Sequence, residues 1–195
     1  DRAVPARLGI LVSGKGRGSN MANLIEACQN GRLPADVGVV VAPREDTPAA
    51  GRARDFGVPV VALSPKSEGF ATALSATLHT YNITHVCLAG FMSMVPAPVL
   101  AAFPDRIFNV HPALLPKFGG KGMYGMHVHE AVVAAGETES GCTVHLVNEH
   151  YDEGRILLQL RCPVLPDDTP ETLAARVLTL EHQAYVQALL DALNA

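Results

Sequence analysis

The feature that most restricts this chain is a repeated exchange between short apolar runs and helical patterns. Leu8 to Val12, Val37 to Val41, Val58 to Leu63, Thr84 to Ala89 and Arg106 to Val110 are apolar over most of their length. Such runs read as strands buried on both faces, because a strand with one wet face alternates instead. Between them, helical spacing runs from Ser19 or Asn20 to Cys28, from Thr47 to Phe56, from Glu68 to Tyr81, and through a proline-rich stretch near 96–103. Met21, Leu24 and Ile25 share one face of the first helix, with Ser19 or Asn20 expected as its cap. The alternation predicts an α/β fold, an open, mostly parallel twisted sheet with helices on both faces. The second half changes character. A long loop, Leu114 to Gly125, holds Pro116 and four glycines. A helix is expected from His129 to Ala135, and strands over Cys142 to Asn148 and Ile156 to Val164. A closing helix should run from Thr169, its cap, to Leu193, with Pro170 at the first helical position. The 195 residues suit one domain, 1–195.

Composition removes several function classes. Charged residues make up 17% and the net charge is -4, so there is no basic excess for a nucleic-acid backbone and no polybasic membrane patch. No apolar run approaches the ~18–20 residues of a membrane span. Asp1 to Arg7 shows no basic stretch leading into an apolar segment, so no signal peptide is expected there. Cys28, Cys87, Cys142 and Cys162 form no CxxC pair and sit among apolar residues. They read as free thiols in a reducing compartment, and a cytoplasmic location is expected. His127-x-His129 beside Glu130, with His145 and His150, matches no standard zinc spacing, so no metal is expected. The G-x-S-x-G elbow of a serine hydrolase is also missing from the sequence.

In an open parallel sheet, ligands bind beyond the carboxyl ends of the strands. That rule selects Ser13 to Asn20, Gly90 to Val95, Asn109 to Gly125 and Asn148 to Gly154. The first segment reads Ser13-Gly14-Lys15-Gly16-Arg17-Gly18-Ser19-Asn20. Its glycine amides and the helix start suit a phosphate. A dinucleotide fingerprint fails at Ser19 and a triphosphate loop fails at Gly16. The same residues also make a plain strand-to-helix turn. Asn109 and His111 point to one side of an extended chain. An amide donor beside an imidazole can bind an oxyanion and move a proton, yet the pair also reads as a polar strand end before a proline turn. Asp152 is a carboxylate that can orient or charge His111, and Asp-x-Gly is equally an ordinary turn. His145 reads as a hydrogen-bonded core residue or a support behind the site. Glu181-His182 lies within the closing helix, as a solvated face or as part of a site.

Together these segments resemble the folate-dependent formyltransferases, and within them the phosphoribosylglycinamide formyltransferases. The matching stretches run in order from about Leu8 to Tyr185: Gly18-Ser19-Asn20, Leu88-Ala89-Gly90-Phe91-Met92, Asn109-Val110-His111-Pro112-Ala113-Leu114-Leu115-Pro116-Lys117, Gly141-Cys142-Thr143-Val144-His145, Asp152-Glu153-Gly154 with Gln159, and Glu181-His182. The resemblance implies direct transfer of a formyl group from 10-formyltetrahydrofolate to the amine of glycinamide ribonucleotide, through a tetrahedral intermediate and without a metal. It implies Asn109, His111 and Asp152 as the catalytic residues. Gly18, Ser19 and Asn20 would hold the substrate phosphate, and Glu181 the glycinamide or ribose end. Met92, Ser93, Met94 and Val95 would line the folate pocket with Asn109, Asn148, Glu149, His150, Tyr151 and Asp152. The implied partners are these two small molecules, with no nucleic acid or membrane, for a monomer or homodimer.

The chain departs from the family pattern in four places. The first loop is two residues longer, which adds Lys15 and Arg17 as candidates for phosphate contact. Ser93 stands where an Arg is frequent. Lys66 is the nearest cation to a position near Ser67 that some members fill with Arg for the folate tail. The Gly119 to Met126 loop is longer than usual, as a lid or a rearranged folate entrance. Another folate-dependent formyltransferase, a 10-formyltetrahydrofolate hydrolase and, more remotely, a non-catalytic sensor of a phosphometabolite or folate are the alternatives.

Overall fold

The structure, a computed structural model, describes residues 5–195. The first four residues of the segment read for a leader lie outside that range. Seven strands, hydrogen-bonded in the order β3-β2-β1-β4-β5-β6-β7, make the expected open, mostly parallel sheet. The chain divides into two compact units, one up to Ile107 together with Leu190–Ala195, the other Phe108–Leu189.

The first unit carries β1 (Ala6–Val12), α1 (Ser19–Gln29), β2 (Ala35–Ala42), α2 (Pro48–Asp55), β3 (Val60–Ala62), α3 (Phe70–Thr80), β4 (His85–Ala89) and α4 (Ala97–Ala102). β1 lies parallel to both β2 and β4, and β2 parallel to β3. Leu8, Ile10 and Leu11 are fully buried, as a central strand covered on both faces requires. α1 buries Met21, Leu24 and Ile25, the predicted face. Thr47 caps α2 by accepting the Ala50 amide at 3.3 Å, with Pro48 in the first turn.

Three local readings change. β3 is shorter than Val58 to Leu63 and only half-buried, because it is an edge strand paired on one side. α3 starts at Phe70 rather than Glu68, because Gly69 at φ 81 turns the chain into the helix. Neither Ser19 nor Asn20 caps α1. Gly18 stands at the cap with φ 73, so no side chain covers the first-turn amides. Only glycine suits this position, since a Cβ would lie 3.0 Å from Ala49 Cβ.

The second unit carries β5 (Ile107–His111), which enters it at Phe108, then α5 (Met126–Ala134), β6 (Glu139–Leu146), β7 (Ile156–Pro163) and α6 (Pro170–Leu193). β6 runs antiparallel to β5 and to β7. α5 begins three residues before the expected His129, directly after the Gly125 turn. β6 starts and ends earlier than Cys142 to Asn148. Glu139 and Ser140 pair with Pro163 and Cys162, while Asn148 enters the next turn, where its side chain accepts the His150 amide at 2.8 Å.

Thr169 caps α6 as predicted, accepting the Thr172 amide at 3.2 Å. Asp168 adds a clamp, accepting two bonds from Arg176 at 2.6 and 2.9 Å. That guanidinium, with the Leu165 amide, holds the Asp168 carboxyl well below the usual carboxylate range. Near its far end α6 is pinned to β5: the fully buried Tyr185 donates its hydroxyl to Phe108 O at 3.0 Å. Tyr185→Phe leaves that carbonyl buried without this donor, and a loss of about 1–3 kcal/mol is expected in urea unfolding.

Candidate active site

In the first unit, the longer glycine loop and the start of α1 enclose a cavity of about 130 Å³ lined by Ser13, Gly16, Arg17, Gly18, Ser19 and Asn20. This is well below the ~300–1,000 Å³ of pockets for drug-sized ligands and suits one small anionic group. The uncapped amides of α1 supply donors, and no acidic residue stands in its first turn to compete. Arg17 lines the cavity. Its carbonyl accepts from Arg52 at 3.4 Å, which brings a second guanidinium to the same loop. In the loop after β4, Met92 and Met94 are 38% and 37% exposed, while Val95 is buried. A larger hollow of about 440 Å³, lined in part by His79, Thr84 and Arg106, sits at the start of β4. Ligand sites in such sheets lie at the other ends of the strands.

In the second unit, the β5–β6 register places Asn109 opposite His145 and His111 opposite Thr143. Asn109 Nδ2 donates to His145 Nε2 at 3.3 Å, and His145 Nδ1 donates to Leu146 O at 3.0 Å. His145 thereby accepts on one nitrogen and donates on the other, which orients the Asn109 amide with its N–H₂ inward. Burial is the largest influence on His145 and lowers its pKa, which favours this neutral form. Asp152 Oδ1 lies 3.6 Å from His111 Nδ1 and 3.6 Å from His145 Nε2. Its Oδ2 accepts the Gly120 amide at 3.0 Å. His111 Nε2 donates to Phe118 O at 2.7 Å. His111, His145 and Asp152 keep only 4%, 3% and 11% of their side-chain surface exposed. One buried cluster thus holds an amide, two imidazoles and a carboxylate.

The turn carrying Asp152 is sterically defined. Asp152 has φ 57, a left-handed conformation that aspartate tolerates better than most residues. A Cβ at Gly154 would overlap Leu146 O, so this Asp-x-Gly turn closes only with glycine. Behind His111, Thr143 Oγ1 donates to Ala113 O at 2.7 Å and accepts from Leu115 N at 3.1 Å and Gln159 Nε2 at 3.0 Å. Gln159 also donates to Leu115 O at 2.9 Å. These bonds tie the chain after β5 to the β6–β7 hairpin.

The sequence-derived triad of Asn109, His111 and Asp152 is therefore brought together. Three further residues contribute: His145, read from the sequence only as a core or supporting residue, and Phe118 and Gly120, which carry no signal. His145 sits in an ordinary apolar strand, and only strand register brings it to Asn109. Phe118 and Gly120 act through backbone atoms. Glu181 is buried on α6, close enough to Cys142 for its charge to add to the burial that pushes that thiol up to about 12. Glu149, His150 and Tyr151 lie exposed on the turn before Asp152. Among the described residues, no group of three or more His, Cys, Asp or Glu is arranged to hold a metal ion. No helix among them is long and apolar enough to cross a membrane.

His129 on α5 is buried, and its Nδ1 has no protein partner. Burial, then the charge of His111, lowers its pKa from 6.5 to about 4. The unfolded chain thus takes up the proton first as pH falls. His129 costs no stability above pH 6.5, and stability falls progressively between there and about pH 4. His145 is shifted the same way. The midpoint of urea unfolding should fall with acidification over this window, and His129→Leu should flatten the fall.

A formyl transferase family profile matches residues 7–189. The chain is 47% identical over 188 residues to the chloroplastic phosphoribosylglycinamide formyltransferase of Vigna unguiculata, covering 94% of this chain and 59% of that protein. It is 31% identical to the phosphoribosylglycinamide formyltransferase of Haemophilus influenzae, covering 92% and 83%. The crystal structure of glycinamide ribonucleotide transformylase 1 from Symbiobacterium toebii superposes with a TM-score of 0.87 at 40% identity, over 95% of this chain and 86% of that one. The chain thus spans about three-fifths of the plant relative's length. With a profile matched along nearly its whole length, the chain belongs to the formyl transferase family.

Proposed function

We propose that this chain is a single formyltransferase domain, 1–195, that moves a formyl group from 10-formyltetrahydrofolate to the amine of glycinamide ribonucleotide, a step of purine synthesis. The observation that carries the reading is the buried cluster of Asn109, His111 and Asp152, in which His111 Nδ1 faces the carboxylate. The relatives named above support the choice of reaction.

The substrate amine attacks the formyl carbon. A C–N bond forms there, and the carbonyl oxygen becomes an oxyanion. Asn109 has one N–H committed to His145, and its second N–H donates to that oxygen. Protonated His111 supplies a second donor, with Asp152 balancing its charge. The bond from the formyl carbon to the folate nitrogen then breaks. One proton leaves the attacking nitrogen and one arrives on the leaving nitrogen, so the protein ends as it began. The cluster adds no side-chain nucleophile, as direct transfer requires.

The 130 Å³ cavity takes the phosphate through the α1 amides, with Arg17, Gly18, Ser19 and Asn20 at its wall and Lys15, on the same loop outside the lining, as an added cation. Glu181 binds the glycinamide or ribose end. Met92, Ser93, Met94 and Val95, with Asn109, Asn148, Glu149, His150, Tyr151 and Asp152, receive the folate. The protein acts on small molecules as a monomer or homodimer in the cytoplasm, without metal, nucleic acid or membrane.

A steady-state assay with both substrates tests this reading, run beside glycinamide ribonucleoside lacking the phosphate. Turnover with the ribonucleotide, and a KM raised at least tenfold without the phosphate, is expected. Release of formate with no acceptor would assign a hydrolase. Binding of both substrates with no reaction would assign a sensor.

A further inference from the structure

We propose that the main chain of residues 118–120 is a positioning brace that decides which nitrogen of His111 handles the reaction's proton, an inference that rests on the formyl-transfer reading. A carbonyl oxygen only accepts, so the 2.7 Å contact with Phe118 O commits a hydrogen to His111 Nε2. The nitrogen left to gain and lose a proton is Nδ1, 3.6 Å from Asp152 Oδ1. Two residues beyond Phe118, the Gly120 amide takes Asp152 Oδ2 at 3.0 Å. The other carboxylate oxygen is thereby left toward the imidazole. One short segment, through backbone atoms alone, orients both halves of the proton-handling pair.

The conformation of this segment is demanding. Phe118 has φ 56, a left-handed conformation that a bulky residue adopts only when its surroundings hold it there. Gly120 has φ 95. A Cβ at Gly119 would lie 2.5 Å from Leu115 Cδ2 and 3.2 Å from Asp152 Cβ. A loop that merely joined β5 to α5 would need neither a phenylalanine in the left-handed region nor a glycine pressed against the residue that bears the carboxylate. The segment is anchored from below, since Thr143 and Gln159 fix Leu115 on both its amide and its carbonyl.

In the reaction, Nδ1 of protonated His111 gives its proton to the leaving nitrogen and regains one from the attacking amine. Nε2 keeps its hydrogen throughout. The brace forms no bond with substrate and acts only by fixing the ring and the carboxylate.

The test pairs kinetics with ¹⁵N NMR of histidine-labelled protein, which reads the tautomer of His111 directly. Four proteins are compared: the parent, Gly119→Ala, Gly119→Ala combined with Leu115→Val, and Gly136→Ala. Gly136, away from the cluster, has a left-handed φ of 69 and open space around it, and controls for backbone strain without a new contact, whereas Gly119 is not left-handed and its substitution acts through Leu115 and Asp152. The parent should keep a hydrogen on His111 Nε2. Gly119→Ala should lower kcat by about 10²-fold with KM values nearly unchanged, as expected when reacting groups are misplaced by about 1 Å, and His111 should become a mixture of tautomers. Trimming Leu115 should restore much of the rate, and Gly136→Ala should keep it. A parent with a hydrogen on Nδ1 alone, or a Gly119→Ala protein with unchanged kcat and tautomer, would overturn the brace. Should the parent fail to transfer formyl at all, the functional reading falls, while the tautomer measurement still upholds or overturns the brace.

Discussion

Replacing His111 with alanine is expected to lower kcat/KM for formyl transfer by about 10³-fold or more. Two roles disappear together: a donor to the oxyanion and the imidazole that faces Asp152 through Nδ1 with its other nitrogen already committed. Loss of an oxyanion donor alone costs about 10²–10³ in rate, and loss of a positioned acid–base group about 10²–10⁴. The two overlap in one side chain, so the losses do not simply multiply. The half-buried Phe118 carbonyl also loses its donor, a cost of about 1 kcal/mol in stability. Titration of the variant with glycinamide ribonucleotide, followed by a single-turnover assay, separates the two effects. Binding within a few-fold of the parent, with the chemical step collapsed, is the expected pattern.

Asp152→Asn is expected to be nearly as damaging to rate, by about 10²–10⁴-fold, with a smaller effect on the fold. The amide is close to the carboxylate in shape, and its oxygen can still accept the Gly120 amide. The turn therefore survives. What is lost is the negative charge between His111 and His145, each 3.6 Å from the same oxygen. Without it, protonated His111 has no counter-charge in a site almost closed to water. A single-turnover assay at neutral pH reads this directly. The rate of the chemical step should collapse in the variant, whereas urea unfolding at the same neutral pH should barely move.

The parallel half of the fold is legible in the residues because a strand covered on both faces must be apolar nearly throughout, as Leu8 to Val12 is. The ends of elements are less so. Gly18 and Gly69 set the starts of α1 and α3 through left-handed backbone, which overrides the cap preferences of Ser19 and Asn20. Asn109 and His111 are legible as a pair because alternate residues of a strand share a side. His145 is harder to place. Its strand is visible, but its meeting with Asn109 depends on the β5–β6 register, across a long glycine-rich connection whose path the residue pattern does not determine. Phe118 and Gly120 leave less trace still, because a carbonyl and an amide are present at every such position. The density of glycines after Phe118 and the loop's extra length hint at an unusual shape without saying which backbone atoms turn toward His111 and Asp152.

In the proposed reaction the formyl group passes directly from donor to amine inside this site. The decisive measurement follows a ¹³C-labelled formyl group on 10-formyltetrahydrofolate by NMR, with parent protein, in the presence and absence of glycinamide ribonucleotide. The label should remain on the folate until the ribonucleotide is added, then appear as a formamide on its glycinamide nitrogen, with no build-up of free formate. Free labelled formate released at the same rate with and without the ribonucleotide would contradict direct transfer and make water the acceptor.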